Sequence, residues 1–279
     1  MNKVLAKAIA MPAAIALICL AGACGSDTKA NNTAQTNAAA QTTTIYLVRH
    51  GETAANVMHR AQGWSDFTLT QNGVDGAKYL GKGLKDVKFA AAYSGDLTRQ
   101  EKTADGALKA SGNNKVNLKI DPRLRECNYG SYEGVPDTDE AIPAIAQHFG
   151  YANAQDFMKG SGSQLMSKMQ EGYYELDQAN SLKTDLPTEL RAEKPETVEN
   201  RMSEALTQIA KKQGDKGGNI LVVSSGMSIS LFLEAQKIPN NAGPLKNDSV
   251  TELTYKNGKF TLVGDIGSLK YYDAGKKAA

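Results

Sequence analysis

The chain has 279 residues and a formal net charge of +2 at neutral pH, and 41% of its residues are hydrophobic. This length allows one globular domain with a sizeable core in addition to terminal segments. The small net charge excludes the basic footprint of a nucleic-acid-binding protein, so we expect no nucleic-acid partner.

Residues 1–23 have the pattern of an export signal. Two early lysines precede an apolar stretch, residues 8–23, that is too short and too poorly flanked to span a membrane. The sequence Leu20-Ala21-Gly22-Ala23-Cys24 resembles a bacterial lipobox, which predicts that Cys24 becomes the lipidated first residue of the mature chain. We therefore expect a lipid-anchored, extracytoplasmic protein of the bacterial cell envelope, with the membrane as a partner through the anchor. The alternative is a soluble secreted protein cleaved after Ala23.

Residues 24–43 are rich in Ala, Asn, Gln, Thr and Ser and have no apolar period. Such a segment cannot bury enough apolar surface to fold, so we predict a disordered tether. Cys19 lies in the export signal and Cys24 is the predicted anchor, which leaves Cys127 as the one remaining cysteine of the sequence. We therefore predict no disulfide and a buried or half-buried thiol at Cys127.

Residues 44–279 are predicted to form one domain in which apolar strands alternate with amphipathic helices. A buried strand over residues 44–48 is followed by a helix whose N-cap is Thr70. The elements predicted further along are strand 88–94, a helix from about residue 97, strand 116–120, a helix from 195, strand 219–224, a helix from 226, and a hairpin of strands 249–255 and 259–263. Residues 123–134 are predicted to be a loop, and the lysines at 276 and 277 a solvated end.

Residues 135–195 interrupt this alternation. Helical patches at 142–149, 154–158 and 165–176 occur there without an intervening strand pattern. We interpret the segment as a helical cap inserted over the mouth of the site, where substrate selectivity would be set.

A charged turn follows the first predicted strand. The apolar run of residues 44–48 continues directly into Arg49-His50-Gly51. Ligands of parallel α/β sheets bind beyond the carboxyl ends of the strands, so Arg49 and His50 are candidate functional residues. Gly51 allows a sharp turn and the close approach of a ligand.

Further motifs follow this turn along most of the chain. They are Glu52-Thr53, Asn56, residues 62–66 (QGWSD), residues 69–73 (LTQNG), residues 93–99 (YSGDLTR) with Thr103-Ala104, and Leu124-Arg125-Glu126 with Gly130 and Glu133-Gly134. In this order and spacing they resemble the histidine phosphatase superfamily, on its phosphoglycerate-mutase-like branch, over about residues 45–263. The resemblance implies an α/β fold: a three-layer α/β/α sandwich with a mostly parallel central sheet and a helical cap insertion.

The resemblance also implies phosphoester hydrolysis through a phosphohistidine. His50 would attack phosphorus, while Glu126 would protonate the leaving oxygen and then activate water. Arg49, Asn56 and Arg99 would bind the phosphate oxygens. We predict neither a cofactor nor a metal, because this chemistry needs none and no His, Cys, Asp or Glu cluster has metal-ligand spacing.

One position departs from the family pattern. Where a second histidine is expected, the sequence has Ser225 within Val222-Val223-Ser224-Ser225-Gly226. We expect Ser225 to face the same phosphate and to donate one neutral hydrogen bond. Loss of a charge-assisted bond of about 1.5–3 kcal/mol would slow turnover by roughly ten- to a hundredfold, and Ser225→His would restore it. The alternative is a site reshaped for a bulkier or differently charged substrate, in which the histidine would crowd the pocket and activity would fall or stay flat. Arg60 also falls near the site in the family pattern, but we expect it to be a solvated surface charge.

The predicted function is a phosphatase that hydrolyses small phosphomonoesters through a phosphohistidine, weakened by Ser225. Its partner would be a small phosphorylated substrate. Two alternatives stay open, namely a phosphoester-binding protein that has lost turnover and a phosphoglycerate mutase. The mutase is disfavoured because such enzymes need a phosphorylated primer found in the cytoplasm, whereas residues 1–23 predict export.

Overall fold

The computed structural model describes residues 42–240 and 243–279, and a six-stranded sheet forms its centre. The strands are β1 Thr43–Arg49, β2 Phe89–Ser94, β3 Leu118–Ile120, β4 Gly218–Ser224, β5 Val250–Lys256 and β6 Lys259–Ser268. Their order across the sheet is β3-β2-β4-β1-β5-β6. Strands β1 to β4 are parallel, and β5 and β6 form an antiparallel hairpin at the β1 side.

Helices cover both faces of this sheet. They are α1 Ala54–Val57, α2 Gln71–Gly83, α3 Thr98–Ala110, α4 Ile142–His148, α5 Ala154–Ser161, α6 Leu165–Gln178, α7 Pro195–Gln213, α8 Gly226–Ala235 and α9 Lys270–Lys277. Alternate residues of β1 point into two different cores, as the two-residue period of a strand requires. Ile45 and Leu47 pack with residues of α6, α7 and α8, while Tyr46 and Val48 pack with residues of α2 and α3. The predicted three-layer α/β fold is thereby confirmed, with a mixed sheet.

The pairing of β1 with β4 places two strand ends side by side. Arg49 pairs with Ser224, and the His50 amide donates to the Ser224 carbonyl at 3.0 Å. The Gly95 amide, just beyond β2, donates to the Val223 carbonyl at 3.1 Å. The turns that follow β1, β2 and β4 therefore meet at one edge of the sheet, where the candidate site lies.

Several boundaries differ from the sequence predictions. Strand β1 begins at Thr43, one residue inside the predicted tether, because Thr43 pairs with both Gly218 and Tyr255. Strand β3 starts at Leu118 rather than 116, and β6 continues to Ser268. The cap segment carries α4, α5 and α6, so its helical patches are confirmed.

The C-terminal end is exposed at its two lysines, as predicted, but it is helical, which the sequence did not predict. The two lysines at 276 and 277 lie in the last turn of α9, which packs along α2. Gly83 and Gly275 allow this close packing, since a Cβ atom at either position would overlap a backbone carbonyl of the other helix. A short helix with so few apolar residues depends on tertiary contacts, so its local sequence gave little signal.

The export signal, Cys24 and nearly all of the predicted tether lie outside the described residues. Within residues 42–240 and 243–279, no helix has the length and apolar character needed to cross a membrane.

Candidate active site

His50 lies at the carboxyl end of β1 and is almost fully buried. Its Nδ1 is 2.8 Å from the Gly51 carbonyl oxygen. A carbonyl can only accept, so Nδ1 carries the proton and the lone pair stands on Nε2. Burial lowers the pKa of His50 well below its usual 6.5, and the charges of Arg99 and Arg49 lower it further. The imidazole is therefore neutral at neutral pH, as a nucleophile must be.

Two guanidinium groups act on this imidazole, that of the half-buried Arg49 and that of the fully buried Arg99. Arg49 donates through Nη1 to the Leu245 carbonyl, and its side chain lies against Gly226, where a Cβ atom would come within 3.4 Å of it. Burial lowers the pKa of Arg49 and Arg99 from 12.5, while Glu126 opposes the shift. Both groups stay charged at neutral pH. Neither Nε atom has a hydrogen-bond partner within the described residues, so each leaves a donor unused.

Arg99 is held by a loop rather than by a carboxylate. Its Nη1 donates to the Ser65 carbonyl at 2.9 Å and its Nη2 to the Gly63 carbonyl at 2.6 Å. The Glu133 carboxylate orders this loop by accepting the amides of Gly63 (3.0 Å), Trp64 (2.7 Å) and Ser65 (3.0 Å). We define residues 62–65 as the arginine loop. Glu133 lies in the Glu133-Gly134 motif, and its contact with this loop was not predicted from the sequence.

Glu126 is clamped at the N-terminus of α8. Its Oε1 accepts the amides of Cys127 at 2.9 Å and Ser228 at 2.8 Å, and its Oε2 accepts the Met227 amide at 3.1 Å. The free amides at a helix start are suited to a carboxylate. The neighbouring Cys127 is free and buried, as predicted.

Asn56 has its acceptor oxygen already engaged. Its Oδ1 accepts from the Thr53 amide at 3.2 Å and from Nδ2 of Asn247 at 3.1 Å. The side-chain amide of Asn56 is consequently turned to donate. Asn247 also donates to the His50 carbonyl at 2.9 Å, which ties the turn that carries His50 to the loop before β5. Asn247 was not predicted as a site residue, because nothing in its local sequence marks it.

Ser225 does not lie where we expected it. Its side chain is fully buried, and its Oγ accepts a 2.8 Å hydrogen bond from Nε2 of Gln100. Gln100 also donates to the Leu124 carbonyl at 3.2 Å and is itself fully buried. A serine side chain is short, so it stays behind the cavity wall, where Gln100 packs against it. The expectation that Ser225 faces the phosphate is not met in this structure.

A cavity of about 200 Å³ opens in front of His50. Arg49, His50, Asn56 and Glu126 are among its lining residues, and we call the part that they line its inner end. Arg99 and Ser225 are fully buried and do not line the cavity, so we describe them as lying behind its wall. Its remaining lining residues are Arg60, Gln62, Tyr129, Asp137, Ile142, Met158, Met166, Met169, Tyr173, Gly226, Met227, Pro244 and Leu245. Arg60 is exposed as expected, yet it borders the cavity and donates to the Gly134 carbonyl at 2.6 Å.

The donor set of the site suits an anion rather than a cation. Arg49 and Asn56 present N–H donors, and the two carboxylates that line the cavity, Glu126 and Asp137, come from different segments. In the part of the chain that the structure describes, no group of three or more His, Cys, Asp or Glu side chains could hold a metal ion. The arrangement can therefore bind a phosphate group directly in front of Nε2 of His50.

The family model of the histidine phosphatase superfamily (branch 1) matches residues 45–181 and 158–264. The chain belongs to this superfamily. The crystal structure of phosphoglycerate mutase from Bacillus anthracis strain Sterne is 31% identical to it and superposes with a TM-score of 0.74, covering 86% of this chain and 99% of that one.

Curated members of the superfamily match shorter segments. The probable phosphoglycerate mutase GpmB of Erwinia tasmaniensis is 42% identical over 89 residues, which is 32% of this chain and 40% of that protein. Fructose-2,6-bisphosphatase TIGAR of Bos taurus is 45% identical over 94 residues, which is 33% of this chain and 35% of that protein. The matches thus span well under half the length of these relatives, and their names include both a phosphatase and mutases.

Proposed function

We propose that this superfamily member is a phosphatase that hydrolyses small phosphomonoesters through a phosphohistidine on His50. The observation that carries the proposal is the state of His50, which is buried, neutral and bonded through Nδ1, so that Nε2 is free to attack. Arg49 and Arg99 supply positive charge next to it. Phosphoryl transfer depends mainly on positioning and charge stabilisation, and this arrangement provides both.

The reaction proceeds in two steps. Nε2 of His50 forms a bond to phosphorus while the bond to the alcohol oxygen breaks, and Glu126 gives a proton to that oxygen. A water molecule then attacks phosphorus, Glu126 takes its proton, and the phosphorus–nitrogen bond breaks to release inorganic phosphate. His50 and Glu126 return to their starting states, so no other reactant is consumed.

Rapid-quench labelling tests the nucleophile. Labelled substrate should give an acid-labile, base-stable phosphoprotein in the unmodified chain and none in His50→Ala. His148→Ala is the matched control, because His148 lies in the cap, pairs with Glu175 and does not line the cavity. Label that persists in His50→Ala would show that another residue is the nucleophile.

A second candidate is a phosphoester-binding protein without turnover. The burial of Ser225 and its bond to Gln100 favour it, because they leave the site without a donor at that position. Hydrolysis of p-nitrophenyl phosphate that is abolished in His50→Ala would reject this candidate. Binding of phosphate compounds without hydrolysis would establish it.

We further propose that a lipid on Cys24 holds the protein at the outer side of a bacterial membrane. The lipobox-like sequence of residues 20–24 supports this, and buried acyl chains contribute about 0.8 kcal/mol per methylene to membrane binding. Cys24→Ser should move the protein out of the membrane fraction, whereas Cys127→Ser, the control, should not. An unchanged membrane fraction in Cys24→Ser would contradict the anchor.

A further inference from the structure

The outer wall of the cavity is chemically unlike its inner end. Beyond His50, the cap contributes Ile142, Met158, Met166 and Met169, and the rim is completed by apolar residues that include Leu245. Met166 and Met169 are nearly buried, while Met158 is 41% exposed at the mouth. Methionine side chains are flexible and polarisable, so they adapt to apolar groups of different shape.

Two stacked aromatic side chains form a rigid part of this apolar wall. Tyr129 and Tyr173 stack with their ring centroids 4.4 Å apart, and both line the cavity. The Tyr173 hydroxyl donates to Oδ1 of Asp137 at 3.0 Å, which fixes that carboxylate at the edge of the cavity. A ligand group that leaves the phosphate site therefore meets apolar surface and one carboxylate.

The charged side chains that line the cavity disfavour a ligand that carries a second anionic group besides its phosphate. Among the described residues that line it, Arg49 and Arg60 are the permanent cations, and Glu126 and Asp137 are the carboxylates. Arg49 would bind the phosphate next to His50. A second phosphate or carboxylate on the ligand could therefore pair only with Arg60 among the arginines that line the cavity. Arg60 is exposed and already donates to the Gly134 carbonyl, and Asp137 would repel the incoming anion.

We infer that the substrate is the monophosphate ester of an apolar alcohol, seated on the methionine and tyrosine wall, and that Asp137 excludes esters with a second anionic group. This inference rests on the proposed phosphatase function for its catalytic meaning. The residues that would select the substrate are Met158, Met166, Met169 and Asp137. With them, the site would disfavour a bisphosphate or a phosphorylated acid, because such substrates carry a second anionic group.

Binding of n-alkylphosphonates to the full chain tests the apolar wall. Their carbon–phosphorus bond is not hydrolysed, so the Kd reports binding whether or not the protein turns over. From methyl- to hexylphosphonate, the Kd should fall by about two- to fourfold per added methylene until the cavity is filled. Met158→Gln should flatten this trend, while Leu182→Gln, which alters an equally exposed residue away from the cavity, should not. A Kd independent of chain length would overturn the inference.

A matched pair of ligands tests Asp137. Propylphosphonate and 2-carboxyethylphosphonate differ by a methyl group against a carboxylate, and the first should bind more tightly. Asp137→Asn should narrow this difference by about tenfold, and Asp139→Asn, an exposed neighbour outside the cavity, should leave it unchanged. Equal binding of the two ligands to the unmodified chain would overturn the role of Asp137. If the unmodified chain gave no phosphohistidine in the rapid-quench experiment but the Kd still fell with alkyl chain length, the phosphatase function would be refuted. The preference for apolar ligands would then stand by itself.

Discussion

His50 and Asn56 each use one polar atom for the protein and leave another for a ligand. Nδ1 of His50 is bonded to the Gly51 carbonyl, and Oδ1 of Asn56 accepts from Thr53 and Asn247. The remaining atoms, Nε2 and the amide of Asn56, belong to residues that line the cavity. The protein thus sets the tautomer of one group and the orientation of the other before a ligand arrives.

The contact between Gln100 and Ser225 changes our expectation for Ser225→His. An imidazole reaches further than the Ser225 hydroxyl, whose Oγ already touches Nε2 of Gln100 at 2.8 Å in a fully buried setting. Ser225→His alone should therefore leave kcat/KM on p-nitrophenyl phosphate flat or lower. Adding Gln100→Ala should raise it by roughly ten- to a hundredfold above the single variant.

Gln100→Ala alone is the control for that pair, and it should give no gain because it creates no new donor. Steady-state kinetics of the three variants, each shown to be folded, decides the matter. If Ser225→His by itself gained as much as the double variant, Gln100 would not be the obstacle.

Glu126→Gln should separate substrates by their leaving groups. The amide cannot donate a proton to an alkoxide, so kcat/KM for an alkyl phosphate should fall by about 10²- to 10⁴-fold. p-Nitrophenolate leaves without protonation, so its ester should lose far less. The ratio of the two kcat/KM values is the measurement, since it cancels any loss of folded protein. Equal losses on both esters would remove Glu126 from the role of acid.

At the scale of elements, the arginine loop depends on Glu133. This carboxylate accepts the amides of Gly63, Trp64 and Ser65 and also the Tyr129 amide at 3.1 Å. One side chain therefore joins the loop that holds Arg99 to the segment that follows Glu126. Order in the loop fixes the position of the Arg99 guanidinium, which no carboxylate holds within 3.5 Å in the described residues.

Glu133→Gln should weaken this junction. The new amide group would point an N–H at a backbone N–H, so the free energy of unfolding should fall by about 1–3 kcal/mol. The KM for a phosphoester should rise, because Arg99 loses its fixed carbonyl partners. Urea unfolding and steady-state kinetics measure the two effects, with the exposed Glu189→Gln as the control. An unchanged unfolding free energy would show that the junction contributes little.

At the scale of the whole molecule, Asp248 links stability to pH. It is nearly buried, and its Oδ1 has no hydrogen-bond partner within the described residues. Burial raises the pKa of this carboxyl from 3.8 to about 7, although Arg49 acts in the opposite direction. Between those two pH values the folded state holds a proton that the unfolded state has released. The contribution of Asp248 to the free energy of unfolding is therefore fully present below the pKa of the unfolded state, and it is lost as the pH rises through the pKa of the folded state.

Asp248→Asn should stabilise the protein, and more so at alkaline pH. Asparagine tolerates the positive φ of 58° at this position and never carries a charge. The gain in unfolding free energy should be on the order of 2 kcal/mol larger at pH 8 than at pH 5, measured by urea unfolding. Asp265→Asn, at an exposed position, should give no such difference. A gain that is equal at both pH values would argue against a buried charge at Asp248.

Much of the fold could be predicted from the sequence because its signals are local. The apolar run of residues 44–48 predicts β1, the Thr70 cap predicts α2, and Asn257-Gly258 predicts the turn between β5 and β6. The Arg49-His50-Gly51 turn and the motifs after it identified the superfamily, which the family match confirms. Each of these signals depends on neighbouring residues, whose spacing reflects backbone geometry.

Only the tertiary structure decided how distant side chains use their polar atoms. Gln100 and Ser225 are 125 residues apart in sequence, Asn247 and Asn56 are 191 apart, and Glu133 meets the arginine loop across about 70 residues. Such pairs follow no period along the chain, because they arise when strand ends and loops meet at one edge of the sheet. The sequence by itself therefore determined the α/β sheet, the position of His50 just after a buried strand, and the family. The packing of the chain decided that Ser225 lies behind the wall and that methionines and Asp137 line the cavity.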